Sequence, residues 1–231
     1  MRVVERKSMK IKVNLRIFLF VLIFLLTRQI EIYAFIMLFA FIHELAHLFA
    51  GIALKMKPKI LEISPYGFSI SFEDNYSSIN KKIKRSNMYS IKRIGVASAG
   101  PIINFLIASL AYLYFFFTND VSIIGIKVDM IIYSNLLIFI FNLLPIYPLD
   151  GGRILKELIS IFGGLRKSYR AINLISNVTL IIITGIASIV VLIYKNIAIV
   201  IIIIYLWIIT IRENMIYEKK KKILNIAYCK K

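Results

Sequence analysis

Long apolar runs separated by short polar segments dominate the chain. They fall at about Ile17–Leu26, Ile32–Leu54, Ile94–Phe117, Met130–Leu149, Leu174–Tyr194 and Ile197–Ile211. Most are near the ~20 residues that a helix needs to cross a bilayer. The first is shorter and spans only if it tilts and recruits Ile11–Leu15. The pattern predicts an all-α polytopic membrane protein of six transmembrane helices. One polar segment differs from the others. Ile60–Phe72 alternates apolar and polar around Pro65-Tyr66-Gly67, which predicts a short β-hairpin between the second and third spans.

Composition agrees. Of 231 residues, 59% are hydrophobic, and the mean hydropathy is +0.79. This excludes a large soluble domain beside the membrane body. The net charge of +18 would point to nucleic acid in a soluble protein. In a membrane chain it reads as the positive-inside signal with attraction to anionic lipid, and no nucleic-acid partner is expected. Counting Lys and Arg by segment gives six in the N-terminal arm, nine in the hairpin segment, five after Asp150 and seven in the tail. Those alternate segments hold 27 of the 30 basic residues. Six spans with both termini cytoplasmic satisfy that alternation. The single cysteine, Cys229, excludes a disulfide framework. The expected division is a membrane domain over residues 1–212 and a basic cytoplasmic tail over 213–231.

Candidate chemistry sits in the second run, at His43-Glu44-Leu45-Ala46-His47. Histidines four apart share one face of a helix and can reach one metal ion. Glu44 beside them suits a general base acting on a water at that metal. These are the only two histidines of the chain, and no other charge occurs between Ile32 and Leu54. Ionisable groups at membrane depth are costly and mark functional sites. One zinc ion per chain is therefore expected, and a third ligand is needed. With no further histidine, and Cys229 in the tail, it must be a carboxylate. Asp150 is the candidate, because it follows an apolar span and stands among Pro145, Pro148, Gly151 and Gly152. On the six-span topology both stretches approach the cytoplasmic side. If the prolines unwind the fourth span's end, the carboxylate can fold back toward His43 and His47. The alternative is that Asp150 simply caps a helix opening at Gly151.

The two motifs together, His43-Glu44-Leu45-Ala46-His47 and Asn142-Leu143-Leu144-Pro145-Ile146-Tyr147-Pro148-Leu149-Asp150-Gly151-Gly152-Arg153, resemble the site-2 protease family of intramembrane zinc metalloproteases. The layout is similar to its sporulation branch. The resemblance runs from the first span to about Arg212 and includes Gly100-Pro101 with Asn104. It implies zinc held by His43, His47 and Asp150, with Glu44 as catalytic acid/base. Asn142 and Pro145 would contact the substrate strand or the oxyanion, and the hairpin would offer a strand edge to an unwound substrate. It further implies a membrane-associated protein substrate cut near the cytoplasmic face, a pro-sigma factor in the sporulation reading, and inhibitory membrane partners. Anti-sigma factors or signal-peptide remnants are the alternative substrates. A transporter or non-catalytic metal-binding protein is the reading from another class, but a transporter would spread its ligands across the bilayer. Asn104 and Asn135 are polar positions within spans, open to interhelical hydrogen bonding or a role at the site.

Overall fold

The structure, a computed structural model, describes residues 10–13, 30–56, 58–64, 67–72, 83–123, 125–194, 200 and 203–216. The first span at Ile17–Leu26, the Pro65-Tyr66 turn, the Lys195-Asn196 turn, the Lys219–Lys222 run and Cys229 lie outside the described residues. The chain divides into two units, Met1–Asn142 and Leu143–Lys231.

The first unit is built on two long helices. Helix α1 covers Ile30–Ala53. It carries no proline and no basic residue in its last turn, so nothing interrupts it until Leu54 and Lys55 turn away. Lys55 takes a positive φ of 58°. The helix end is capped from another element, since Lys92 Nζ donates to the Leu54 carbonyl at 2.8 Å. Helix α2 covers Ile83–Thr118 and contains Pro101. Its run Ala97-Ser98-Ala99-Gly100 is small, which lets two backbones approach closely in an apolar medium. Helix α3 covers Val128–Leu143. Phe39 of α1, Ala111 of α2, and Val128, Ile131 and Ile138 of α3 form the core where the three helices meet. Exposed apolar side chains such as Phe105, Leu110 and Phe116 face outward, the inverse of a soluble bundle and the normal state in lipid.

A three-stranded sheet accompanies these helices, in the order β1 (Lys10–Val13), β2 (Pro58–Ser64), β3 (Gly67–Phe72). The expected hairpin is present, with Ser64 opposite Gly67 and Pro58 opposite Phe72. Strand β3 packs against α1. Strand β1 corrects the sequence reading. Lys10–Val13 was assigned to the basic arm, with Ile11 onward recruited to the first span. It instead pairs in parallel with β2, Lys10 opposite Ile60 and Val13 opposite Ile63. The physical reason lies in Lys10-Ile11-Lys12-Val13 itself, which alternates charged and β-branched residues with the period of a strand. Between α2 and α3 a two-stranded hairpin, β4 (Ser122–Ile123) with β5 (Ile126–Lys127), replaces a plain loop.

In the second unit, residues 144–149 are non-helical, and α4 runs from Asp150 to Gly163. Gly164, at φ 80°, turns the chain and donates its N–H to Ser160 O. Helix α5 follows at once, over Leu165–Tyr194. The turn is thus a single glycine, and the helix begins nine residues before the apolar run at Leu174. Residues 203–216 are also helical. They are joined to α5 by Trp207 Nε1 donating to Thr184 Oγ1 at 3.1 Å and by Asn214 Nδ2 donating to Asn177 Oδ1 at 3.1 Å. The indole N–H of Trp207 is thus used between helices.

Among the described residues, three helices are long and apolar enough to cross a membrane: Ala34–Ala53, Asn87–Thr118 and Lys167–Ile193. Val128–Leu143 is a shorter apolar helix.

Candidate metal centre

Helix α1 fixes the geometry of His43, Glu44 and His47. The i, i+4 spacing puts the two imidazoles on one face, a turn apart. Both rings are buried, at 3% exposure each, while Glu44 is half-buried. The ring planes stand at 85° with centroids 4.7 Å apart. Their Nε2 atoms face each other at 3.0 Å. The ligand atoms of His43, Glu44 and His47 all lie within 4.8 Å of one another.

Each ring is oriented from its far side. His47 Nδ1 donates to the Val96 carbonyl at 2.7 Å, and His43 Nδ1 donates to Asn104 Oδ1 at 2.5 Å. Both acceptors belong to α2. A neutral imidazole that gives its proton from Nδ1 presents a lone pair at Nε2. Two such lone pairs at 3.0 Å repel unless a cation lies between them. The nitrogens therefore fit a metal ion. Zinc bonds of 2.0–2.1 Å at a tetrahedral angle would set them about 3.3 Å apart.

Gly100 makes this approach of α2 possible. A Cβ there would collide with Nε2 of both His43 and His47. The small-residue run thus does more than bring helices together: one of its members clears the space in front of the ligand atoms.

Asn104 and Asn135 are both fully buried. Asn104 Nδ2 donates to Asn135 Oδ1 at 2.8 Å, and Asn135 Nδ2 donates to Ile131 O at 2.8 Å. The question left open for Asn104 is answered by its bond to His43. The sequence signal was visible, two amides inside apolar spans, but nothing in one dimension paired them.

The remaining predicted residues lie at the boundary of the units and in the second. Asn142, in the last turn of α3, donates Nδ2 to Ile138 O at 3.0 Å. Pro145 is half-buried in the turn that follows. That turn is anchored by Ile146, which is fully buried, and by Tyr147 N–H donating to Ser176 Oγ at 2.9 Å. It folds back on the start of α4, where a Cβ at Gly151 would collide with the Leu143 carbonyl and one at Gly152 with the Ile146 carbonyl and Tyr147 N. The two glycines after Asp150 are there for this close approach. Lys156 is buried, with its ammonium 4.7 Å from the Tyr147 ring centroid and 4.2 Å from that of Tyr169, so the turn is also held by cation–π contact.

Asp150 opens α4 and is 4% exposed. The residue at the N-cap position is Leu149, and it makes no side-chain cap. Arg153 Nη1 lies 3.7 Å from Asp150 Oδ1, one turn along. The helix that the capping alternative required therefore exists, one residue earlier than Gly151. The expected unwinding is also present, since α3 stops at Leu143 ahead of Pro145.

Residues 121–186 match Peptidase family M50, a stretch that includes Asn142, Pro145 and Asp150-Gly151-Gly152. The likeness to peptidase family M50 covers that stretch. It is 26% identical over 178 residues to stage IV sporulation protein FB of Bacillus subtilis, covering 76% of this chain and 57% of that protein. It is 30% identical over 156 residues to a zinc metalloprotease of Methanocaldococcus jannaschii, covering 64% of this chain and 41% of that one. The chain thus spans about half the length of these curated relatives. Its fold is similar to that of the site-2 protease from Methanocaldococcus jannaschii, with a TM-score of 0.65 and 20% identity over 92% of this chain and 94% of the other. The three described helices that are long and apolar enough to cross a membrane agree with that likeness.

Proposed function

We propose that the chain is an intramembrane zinc endopeptidase. The observation that carries this reading is the pair of Nε2 atoms converging at 3.0 Å with Glu44 beside them, on a helix apolar enough to cross a membrane. His43, His47 and Asp150 hold one zinc ion. The burial of Asp150 at the head of α4 and the glycine-padded turn in front of it support its part. Bound zinc supplies a Lewis acid that polarises the scissile carbonyl and makes water nucleophilic near neutral pH.

The chain's own residues do the rest. Glu44 takes the proton of the attacking water and delivers it to the leaving amine. Asn142 and Pro145 line the path of the substrate strand. The outer edge of β3 receives that strand, because β2 is already paired on both sides and β3 packs against α1. An intact substrate helix hides its carbonyls in hydrogen bonds, so the substrate must unwind locally.

The chain carries six spans with both termini cytoplasmic and the site near that face. The Lys/Arg alternation supports this, as do the three long apolar helices. The substrate is a membrane-associated protein, and the likeness to a sporulation protein favours a pro-sigma factor. Anti-sigma factors and signal-peptide remnants call on the same chemistry. Co-expression with each class, comparing native chain with Glu44→Gln, tests the reading. Shortening of the pro-sigma factor by the native chain alone is expected. Shortening of a signal-peptide remnant but not of the pro-sigma factor would reassign the substrate. Equal behaviour of both chains toward all three would overturn the protease reading.

A further inference from the structure

The hydrogen bonds behind His43 have a direction, and the direction is set far from the metal centre. The Ile131 carbonyl on α3 can only accept. Asn135 must therefore turn its amide NH₂ toward it, which it does at 2.8 Å. That leaves Asn135 Oδ1 facing Asn104, so Asn104 must present its own NH₂, at 2.8 Å. Asn104 Oδ1 is then the atom facing His43 Nδ1, at 2.5 Å, and an oxygen there requires the proton on Nδ1. The lone pair of His43 is thereby assigned to Nε2, the atom that meets His47 Nε2.

His47 reaches the same state by a shorter route, through the Val96 carbonyl. A backbone carbonyl cannot reverse. An asparagine side chain can, by rotating half a turn, and a reversed Asn104 would offer N–H to Nδ1 and drive the proton to Nε2. Full burial of Asn104 and Asn135 means that water cannot substitute for either partner.

We infer that Asn104 and Asn135 form a directional relay, running from the α3 backbone to the metal centre, that holds His43 in its metal-binding tautomer. They are positioning residues, and Asn135 acts only through Asn104. The relay also makes ligand orientation depend on α3 being docked against α1 and α2. This rests on the zinc reading above.

The test is zinc affinity by chelator competition on the full chain in detergent, with the cobalt-substituted absorption spectrum as a second readout. Size-exclusion behaviour reports folding. Native chain binding one zinc is the reference; a folded native chain without zinc affinity would overturn both the zinc reading and the relay. Asn104→Leu is expected to weaken zinc binding by roughly 10- to 100-fold, the range for losing a ligand's hydrogen-bond partner. Asn104→Asp keeps an acceptor toward Nδ1 and is expected to bind close to native, with a native-like cobalt spectrum. Asn135→Leu is expected to weaken binding by roughly tenfold, and to add nothing when combined with Asn104→Leu.

Native affinity in Asn104→Leu would overturn the relay. Asn104→Asp as weak as Asn104→Leu would also overturn it, because packing alone would then be at stake. If Asn104→Leu does not fold, Asn135→Leu decides: it lies two hydrogen bonds from the ligand ring, and native affinity there contradicts the relay.

Discussion

His43 and His47 turn their Nε2 atoms toward each other at 3.0 Å, while each gives its Nδ1 proton to a different partner on α2. Both rings are oriented by the protein itself before any ion is considered. The arrangement requires helix α1 for the spacing, the Val96 carbonyl and Asn104 for ring orientation, and the bare Cα of Gly100 for space. Each requirement leads to an expected outcome.

Gly100→Ala places a methyl group against both Nε2 atoms. Overpacking of this kind typically costs about 1–3 kcal/mol, and here the displaced atoms are the ligands themselves. Zinc content of the purified variant should fall sharply. Gly95→Ala is the matched control on the same helix, because its Cβ would meet only Leu54 Cδ1, at 3.3 Å. Metal analysis of the two variants side by side checks the expectation.

Gly151→Ala and Gly152→Ala should distort the turn from Leu144 to Leu149, since the added Cβ meets backbone in both cases. Backbone cannot swing aside as a side-chain tip can. A loss of about 1–3 kcal/mol is expected, read as a lower unfolding temperature in detergent. Gly185, within α5 and with nothing within 4 Å of its Cβ position, should behave in the opposite way. Gly185→Ala is expected to raise stability by about 0.5–1 kcal/mol, the helix-propensity difference.

Lys156 links Tyr147 of that turn to Tyr169 of α5. Lys156→Ala should remove both ring contacts and the packing of a buried side chain. A loss of about 1–3 kcal/mol is expected, together with reduced zinc retention if Asp150 is a ligand, because the turn delivers Asp150 to the head of α4. Thermal unfolding and metal content measured on the same preparation separate the two effects.

Much of this was legible in one dimension. His43-Glu44-x-x-His47 is a local pattern on a local element, and helix geometry converts it directly into a shared face. The ending of α3 ahead of Pro145 was legible for the same reason, because proline acts on its own backbone. Lys10–Val13 shows the opposite case. Its strand exists through pairing with Ile60–Ile63, fifty residues away, and four alternating residues beside an apolar run read equally well as the approach to a span. The apolar pattern restarts only at Leu174, although one positive-φ residue, Gly164, sufficed to join two helices ahead of it. Asn104 and Asn135 were visible as anomalies, but a hydrogen bond between residues 31 apart is set by helix packing and leaves no trace in spacing.

In the proposed function His43, His47 and Asp150 hold one zinc ion, and Glu44 works beside it without holding it. Metal content of the full-length chain measures this directly, for the native protein, His43→Ala, Asp150→Ala and Glu44→Gln. One zinc per native chain is expected, with one retained in Glu44→Gln, little in Asp150→Ala and none in His43→Ala. A folded native chain without zinc, or Glu44→Gln losing it as completely as His43→Ala, would overturn this assignment.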